Sequence, residues 1–569
     1  MVQATPLTDL LYNYAPPNSL DLAIIQDITE AMAKRIAKLR DELKPLEEQL
    51  HLYKCVIAPA RRIPTEVLTI IFDLVTAKPP WSAYDDDWGR DKKCLASITL
   101  VCKRWRDVAY NSGGLWAVRE VEIPTLTQKQ CGTLLQWYGR SKGTPKTLKI
   151  DSPYRIETPC ECYKQTGGTQ LCSNAVLKRL LEEGAPFSQI SMAQFTPTCF
   201  KNIVRYIKST NRPNSAASTT TARTSHHWWD KVQKLMLDFH CGGGNDNDPY
   251  WLQSQLPAES IFTSFPDSLT SLTLHLHHLG NKGQRKILEI PAVVLRKLIT
   301  FSLTYPWGGP QFLTALQHCT SVENLTLSLR HNGRFQANWA DRVNVTALSQ
   351  DGHLVLPKVK SLRLKVTGAN EVMEDLSFLR FPGLMELSFE SEVVGYGEPE
   401  PYSTVLKAIG LFSPYAPQSF TSLTLVGEID AEDLYHLLGS ITSPITHFTT
   451  DADFNPGMFL ELAQDTPAGT PNLLPSLQSL EVRNFPSDFD LESLFLYIKS
   501  RQKHGKKKGK IVMKAPYDQL KWVMLEITGS ERELQKAYCK ESATLKMLRE
   551  SFGIKVDRMG YDPELESDT

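Results

Sequence analysis

A short string of alternating apolar residues recurs along most of the chain, and it constrains the fold more than any other feature. In most copies a further apolar residue stands three positions earlier, as Leu269 does before Leu272. The clear copies begin at Lys234, Ser271, Asn324, Ser361, Glu386, Ser422 and Ser479, and weaker ones begin at Thr147, Ile190, Thr300 and His447. Such alternation is typical of a strand that buries one face. A single copy cannot bury that face alone, so several copies must stack.

The spacing L-x-x-L-x-L is the core pattern of leucine-rich repeats. Segments suited to short helices, such as GPQFLTALQHC and YSTVLKAIGLF, lie between the copies. Because the copies are unevenly spaced, we predict an α/β solenoid in the form of an irregular leucine-rich-repeat arc over residues 124–510. An ordinary α/β domain with leucine-rich strands is the alternative, but so many copies of one string favour the solenoid.

The residues between the leucines are predicted to form two rows on one face of the array. One row holds Thr273, Ser302, Thr326, Arg363, Ser388, Thr424 and Glu481. Its neighbour holds His275, Thr304, Ser328, Lys365, Glu390, Val426 and Arg483. The candidate substrate contacts are His275, Ser328, Arg363, Lys365, Glu390 and Arg483. Lys365 and Glu390 would lie on adjacent strands, where they could pair with each other. The mixture of signs indicates a protein partner rather than nucleic acid.

The other segments of this region carry weaker signals. Residues 511–569 alternate strand-like and helical patterns, and we predict that they cap the array. The basic run KSRQKHGKKKGK, residues 499–510, is either a solvated loop or a nuclear import signal. Polar composition predicts loops at residues 211–225 and 240–249, the first of them disordered.

The first 57 residues contain a helical pattern of a different kind. Apolar residues recur in steps of three and four, at Ile25, Ile28, Met32, Ile36, Leu39, Leu43, Leu46, Leu50 and Tyr53. This seam predicts an amphipathic, coiled-coil-like helix, with Pro45 either kinking it or starting a second helix. The seam could pair with a second copy of the chain, or the helix could fold back on the next domain.

Residues 58–123 read as a small helical domain. Val67, Leu68, Ile71, Phe72 and Val75 recur at helical spacing after Pro64, which suits the start of a helix. A loop rich in Pro, Trp and Asp follows, and then LASITLVCKRWRDVAYNSGGLW continues with a second helical pattern. The apolar stripes are wider than so small a core needs, so part of them should face a partner.

Three segments of this domain, in order, resemble the F-box domain. They are Ile63-Pro64-x-Glu66-x-Leu68-x-x-Ile71-Phe72, then the LVCKRWR segment from Leu100, then Leu115-Trp116. Together with the preceding heptad-like helix, they resemble the F-box-like proteins common in mushroom-forming fungi. The chain departs from the family at Ile63, where Leu is frequent, and in its long acidic loop between the first two helices.

The resemblance implies a small three-helix module that docks on a Skp-type adaptor, which in turn binds a cullin scaffold carrying a RING protein. The residues carried over as adaptor contacts are Pro64, Leu68, Ile71, Phe72, Leu100, Val101, Cys102, Trp105 and Trp116. The implied function is that of a substrate receptor in a cullin–RING ubiquitin ligase. A scaffold that dimerises through its first helix, without a ligase role, is the rival. A hydrolase or transferase in the C-terminal half is a third and weaker reading.

Bulk composition bears on the remaining classes. The formal net charge is +0, so electrostatics give the chain no reason to seek nucleic acid or anionic membrane. The N-terminus does not resemble a signal peptide, and we expect a cytoplasmic or nuclear protein with reduced cysteines. Cys160, Cys162 and Cys172 lack the second pair that a zinc site usually shows, and the His275, His277 and His278 tract suits exposed strand positions. We expect no metal, no cofactor and no catalytic residues.

Overall fold

The computed structural model describes most of the chain, in segments separated by gaps. The described residues are 19–57, 59–76, 90–122, 127–151, 175–184, 186–210, 228–239, 261–276, 288, 290–306, 311–330, 353–367, 376–392, 419–427, 429–451, 454–465, 473–486, 491–507, 510–515, 518–528 and 542–559. The chain divides into two compact units, Met1–Leu115 and Trp116–Thr569.

The first unit is helical throughout its described part. A long helix, α1, is followed by a 3-10 turn at Pro59–Arg61 and by three shorter helices. The helices are α1 (Ser19–Ile57), α2 (Thr65–Thr76), α3 (Arg90–Val101) and α4 (Lys103–Asn111). Helices α2, α3 and α4 pack pairwise against one another. Their buried apolar side chains are Leu68, Phe72, Leu95, Ile98, Val108 and Ala109.

Helix α1 runs without interruption for 39 residues, with Pro45 inside it. Ion pairs one turn apart support it, Lys34 with Glu30 at 2.6 Å and Lys38 with Glu42 at 3.9 Å. Eight of the nine predicted seam residues are exposed, from 48% at Ile28 to 71% at Tyr53, and Ile25 is half-buried. The alternative in which this helix buries its seam by folding back is therefore not what the structure shows.

The second unit is built on a 14-stranded parallel sheet whose strands follow one another almost in chain order. These strands are β1 (Val118–Glu122), β2 (Lys146–Asp151), β3 (Phe187–Phe195), β4 (Lys234–Phe239), β5 (Ser271–His275), β6 (Thr300–Tyr305), β7 (Asn324–Arg330), β9 (Ser361–Thr367), β11 (Glu386–Glu392), β12 (Ser422–Val426), β13 (His447–Thr450), β14 (Ser479–Pro486), β17 (Trp522–Thr528) and β18 (Lys555–Met559). Two further pairs stand apart: β8 (Leu354–Val355) with β10 (Leu379–Arg380), parallel, and β15 (His504–Lys507) with β16 (Lys510–Met513), antiparallel.

One hydrogen-bond pattern repeats from strand to strand. The carbonyl of Gln233 accepts from the N–H groups of Thr270 and Ser271, and the carbonyl of Thr270 accepts from Ile299 and Thr300. The same double acceptance recurs at Ile299, Glu323, Lys360, Met385, Thr421, Thr446 and Gln478. Each strand therefore pairs with the next one through the same backbone hydrogen bonds, as in an α/β solenoid-like array.

Short helices follow many of the strands and share one hydrophobic core with them. They are α5 (Gln128–Arg140), α6 (Ala175–Glu183), α7 (Pro197–Thr210), α8 (Ala292–Leu295), α9 (Gln311–Leu316), α10 (Ala431–Ser440), α11 (Pro456–Asp465), α12 (Leu491–Arg501) and α13 (Ser542–Phe552). The core is continuous from Val121 to Ile554. It includes the apolar residues that precede the strands, namely Leu269, Val322, Val359, Leu384 and Leu477.

Every copy of the repeated string forms a strand of the large sheet, including the weaker copies. Three strands lie outside the predicted array of residues 124–510: β1 before it, and β17 and β18 within the segment predicted as a cap. Part of the basic run forms the β15–β16 hairpin rather than a loop. The helix predicted at YSTVLKAIGLF and the insertions at 211–225 and 240–249 lie outside the described residues. Over the part of the chain that the structure covers, none of the helices combines the length and apolar character that a bilayer crossing requires.

Candidate functional site

Helix α2 carries one wide apolar stripe, of which only part is buried. Leu68 and Phe72, one turn apart, are fully buried. The outer part of the stripe carries Val67, Ile70 and Leu74, which are 43%, 57% and 71% exposed, and Val75 at the end of the helix is 53% exposed. The five polar residues of this 12-residue helix share the remaining side, and the apolar stripe is wider than its own unit covers. The exposed face is therefore a candidate docking surface.

A second exposed apolar pair stands at the end of α3. Leu100 is 75% exposed and Val101 is 59% exposed. The next residue, Cys102, has an extended backbone and caps α4, because its Sγ accepts the N–H of Trp105 at 3.5 Å. The cap turns the chain sharply between α3 and α4, which leaves Leu100 and Val101 outside the core.

The LVCKRWR segment also anchors the start of α2. The Arg104 guanidinium donates through Nη2 to the carbonyl of Ile63 at 2.5 Å, and through Nη1 to the carbonyl of Arg61. The Trp105 ring lies 5.1 Å from the buried Phe72 ring, centroid to centroid. Two of the three segments that carry the F-box resemblance are thus held together by direct contacts.

The predicted adaptor contacts fall into three environments. Leu68 and Phe72 lie in the core, where they support a surface rather than form one. The exposed or half-buried ones are Pro64, Ile71, Leu100, Val101, Cys102 and Trp105. Trp116 belongs to the second unit, where it is 3% exposed and lies 4.6 Å from Trp137. The sequence analysis left out Ile70 and Leu74, although the width of the apolar stripe was the signal that pointed to them.

The second candidate surface is the sheet face opposite the buried leucines. Strand pairing aligns the two predicted rows residue by residue, as in the run Thr304, Ser328, Lys365 and Glu390. All six candidate substrate contacts lie on this face, alternating with buried apolar residues. The prediction skipped β13, which adds Thr449 between Thr424 and Glu481. The two rows left this strand out, although HFTT was predicted as a weaker copy of the string, because it has no leucine.

We call five ionisable residues of the second row the charged row: Lys365, Glu390, Asp451, Arg483 and Glu526. The predicted pair forms, with Lys365 Nζ 2.5 Å from Glu390 Oε1 and both side chains 41% exposed. Arg483 Nε lies 2.7 Å from Glu481 Oε1 and 3.9 Å from Glu526 Oε2. Lys365 and Arg483 thus each pair with a carboxylate, while the like charges of Glu390 and Asp451 follow one another in the row, and the surface carries no single sign.

Asp451 directly follows the last residue of β13, and this position places it in the charged row. Its Oδ1 accepts the N–H of Gly427 at 2.7 Å. Burial raises the pKa of the Asp451 carboxyl, while the Gly427 N–H and the charge of Arg483 offset part of that rise. Gly427 has φ of +139°, and a Cβ there would meet the Ser391 carbonyl at 2.7 Å. Only glycine can direct its N–H to the carboxylate in this conformation.

Removing the Lys365–Glu390 pair should change the free energy of unfolding only slightly. A double-mutant cycle with Lys365→Met and Glu390→Gln is expected to give a coupling energy of about 0.2–1 kcal/mol, because both side chains are partly exposed. The measurement is urea unfolding at low and high salt, and salt should reduce the coupling. A coupling above about 2 kcal/mol that is insensitive to salt would contradict the exposure seen here.

The geometry of these surfaces suits binding. Within the described segments, no group of three or more His, Cys, Asp or Glu side chains is placed to hold a metal ion. Cys160, Cys162, Cys172, His277 and His278 lie outside those segments. His275 is half-buried on β5, between Asp238 and Thr304 on the neighbouring strands.

Comparison with known proteins gives little help with identity. No protein-family model matches the sequence, and no curated protein is similar to it in sequence. Among solved structures, a protein of Bacteroides fragilis determined by the Northeast Structural Genomics Consortium is similar over 58% of this chain and 68% of its own. The two share 13% sequence identity with a TM-score of 0.26.

Proposed function

We propose that this chain is a substrate receptor of a cullin–RING ubiquitin ligase, in which residues 58–123 are an F-box module that follows helix α1 and residues 124–510 are an irregular leucine-rich-repeat domain. The observation that carries the proposal is the exposed apolar set of the first unit: Val67, Ile70, Leu74, Val75, Leu100 and Val101. Val67, Ile70, Leu100 and Val101 lie within the segments that resemble the F-box, and Leu74 and Val75 follow the first segment on the same helix. A Skp-type adaptor that covered them would supply the cover that their own unit does not.

The second unit would select the substrate. Its sheet face combines hydroxyl side chains with the charged row, a mixture that suits a protein surface better than a polyanion. In this reading the chain performs no chemistry. It holds a substrate lysine near the charged conjugating enzyme that the RING protein recruits, and the rate gain comes from proximity. Such a receptor would work in the cytoplasm, the nucleus or both.

The test is binding of the full chain to a Skp-type adaptor from the same organism. Replacing Leu100 and Val101 by aspartate should weaken binding at least about 100-fold, because burying each side chain contributes about 1.5–3 kcal/mol and a buried carboxylate adds a further cost. The matched control is Val293→Asp with Ile299→Asp, an aliphatic pair of the second unit that is 57% and 47% exposed. The control pair should bind as the wild type does.

Isothermal titration calorimetry measures both affinities, and circular dichroism checks that each variant is folded. Wild-type binding that the Leu100 and Val101 variant loses and the control keeps would support the proposal. If the folded wild-type chain does not bind the adaptor, the receptor function is wrong.

A second function from another class is favoured by one observation. The seam of α1 is exposed from Ile28 to Tyr53, as expected of a scaffold that assembles through this helix. In that reading the sheet face still binds a protein, but the first unit serves assembly and no ligase is recruited. Adaptor binding separates the two functions.

A further inference from the structure

Helix α1 leaves an apolar seam in water that a single copy of the chain does not cover. Ile25, the first seam residue, is half-buried, and the other eight are exposed: Ile28, Met32, Ile36, Leu39, Leu43, Leu46, Leu50 and Tyr53. Their exposed fractions are 48%, 62%, 50%, 49%, 51%, 61%, 53% and 71%. From Ile36 onward the steps alternate between three and four residues, which is the heptad spacing of a coiled coil. A contact from Ile25 to Tyr53 would be about 43 Å long at 1.5 Å per residue.

The charges that flank the seam select its partner and direction. In heptads that start at Ile36, one flank carries Arg35 and Glu42, and the other carries Arg40 and Glu47. A parallel, in-register pair of copies would place Arg35 against Arg40 and Glu42 against Glu47, so both contacts would be repulsive.

An antiparallel pair reverses this outcome. With the two-fold axis near residues 37 and 38, Arg35 of each copy lies beside Glu42 of the other, which gives two symmetric attractive contacts. The same axis places Ile36 against Leu39, Met32 against Leu43 and Ile25 against Leu50, and it aligns the remaining seam positions to within one residue. Pro45 falls on the outer face in this register, so its ring stays out of the contact.

We propose that the chain forms an antiparallel homodimer through the seam of α1. Burial of the seam provides the affinity, and the flanking charges set the direction. The inference does not depend on the ligase function, because either a receptor or a scaffold could be dimeric. A chain that fails to bind the adaptor could still form the dimer, and a monomeric chain could still bind the adaptor. The two proposals therefore fail independently.

The dimer itself is tested on the full chain by sedimentation equilibrium at micromolar concentrations. We expect a dimer for the wild type and a monomer for Leu50→Asp. The matched control is Leu52→Asp, because Leu52 is 64% exposed on the same helix but lies off the seam. That variant should stay dimeric. A monomeric wild type would overturn the proposal and would indicate that a different helical partner covers the seam. Loss of the dimer in both leucine variants alike would also overturn it.

The direction is tested by charge reversal. In the antiparallel arrangement Arg35→Glu should raise the dimer dissociation constant roughly tenfold, since two attractive contacts become repulsive. Combining it with Glu42→Arg should restore the wild-type value. In a parallel arrangement the carboxylate introduced by Arg35→Glu would meet Arg40 of the other copy, and this variant would dimerise more tightly than the wild type. Tighter dimerisation of Arg35→Glu would therefore rule out the antiparallel dimer.

Discussion

Replacing Arg501 by methionine is expected to lower the free energy of unfolding of the second unit by about 3–5 kcal/mol. The Arg501 guanidinium donates to both carboxylate oxygens of Asp518, Nε at 2.8 Å and Nη2 at 3.2 Å. It also donates to the carbonyls of Leu473 at 2.6 Å and Leu474 at 3.1 Å. The side chains of Arg501 and Asp518 are only 2% and 10% exposed. Methionine would fill much of the volume but leave a carboxylate and two carbonyls without this donor.

The measurement is urea unfolding of the full chain, with amide hydrogen exchange to assign the transition to the second unit. Arg483→Met is the matched control, because Arg483 also pairs with a carboxylate but is 44% exposed. Its loss should stay within about 1 kcal/mol. The double variant Arg501→Met with Asp518→Leu should recover part of the stability, since it removes the orphaned charge. A loss below about 1 kcal/mol for Arg501→Met alone would show that the pair is not structural.

The role of Arg501 was hidden in the sequence for a physical reason. It stands within a basic run, residues 499–510, whose composition indicates solvated charge. Its partner Asp518 is far along the chain and approaches only because β15 and β16 form a hairpin between them. Local pattern shows which residues are charged. It does not show which one of a basic run is folded inward.

The sheet was far more accessible to sequence reasoning. Alternation of period two fixes which face of a strand is buried, and equivalent leucines in successive copies fix the register, so the two outward rows followed directly. The two rows nevertheless left out the strand whose string has no leucine, although that string was predicted as a weaker copy. In β13 the inward positions are Phe448 and Thr450, so Thr449 and Asp451 were overlooked although the sheet brings them into the rows.

In the first unit, by contrast, the sequence did not show which apolar residues are buried. The apolar character of α2 predicted both a core and a surface, but the sequence could not assign residues between them. Leu68 and Phe72 were taken as contacts, and the packing of Trp105 against Phe72 places them inside instead. When apolar side chains cover more of a helix than one core needs, the sequence alone does not show which of them face the core.

Truncation of two nearby residues of α2 should therefore have different effects on the stability of the first unit. Phe72→Ala should destabilise the first unit by about 3–5 kcal/mol, because the ring is fully buried against Trp105 and its loss leaves a cavity. Leu74→Ala should change stability by no more than about 0.5 kcal/mol, because that side chain is 71% exposed. So small a helical unit has little stability to spare, so Phe72→Ala should leave much of it unfolded.

Thermal unfolding by circular dichroism, together with adaptor titration, checks both residues on the full chain. Phe72→Ala should lose folding and binding together. Leu74→Ala should keep the wild-type melting temperature and bind the adaptor less tightly, because only the contact is removed. If instead Leu74→Ala destabilises the unit as much as Phe72→Ala, the outer face of α2 is covered within the chain. In that case it is no docking surface, and an adaptor would have to dock on Leu100 and Val101 alone.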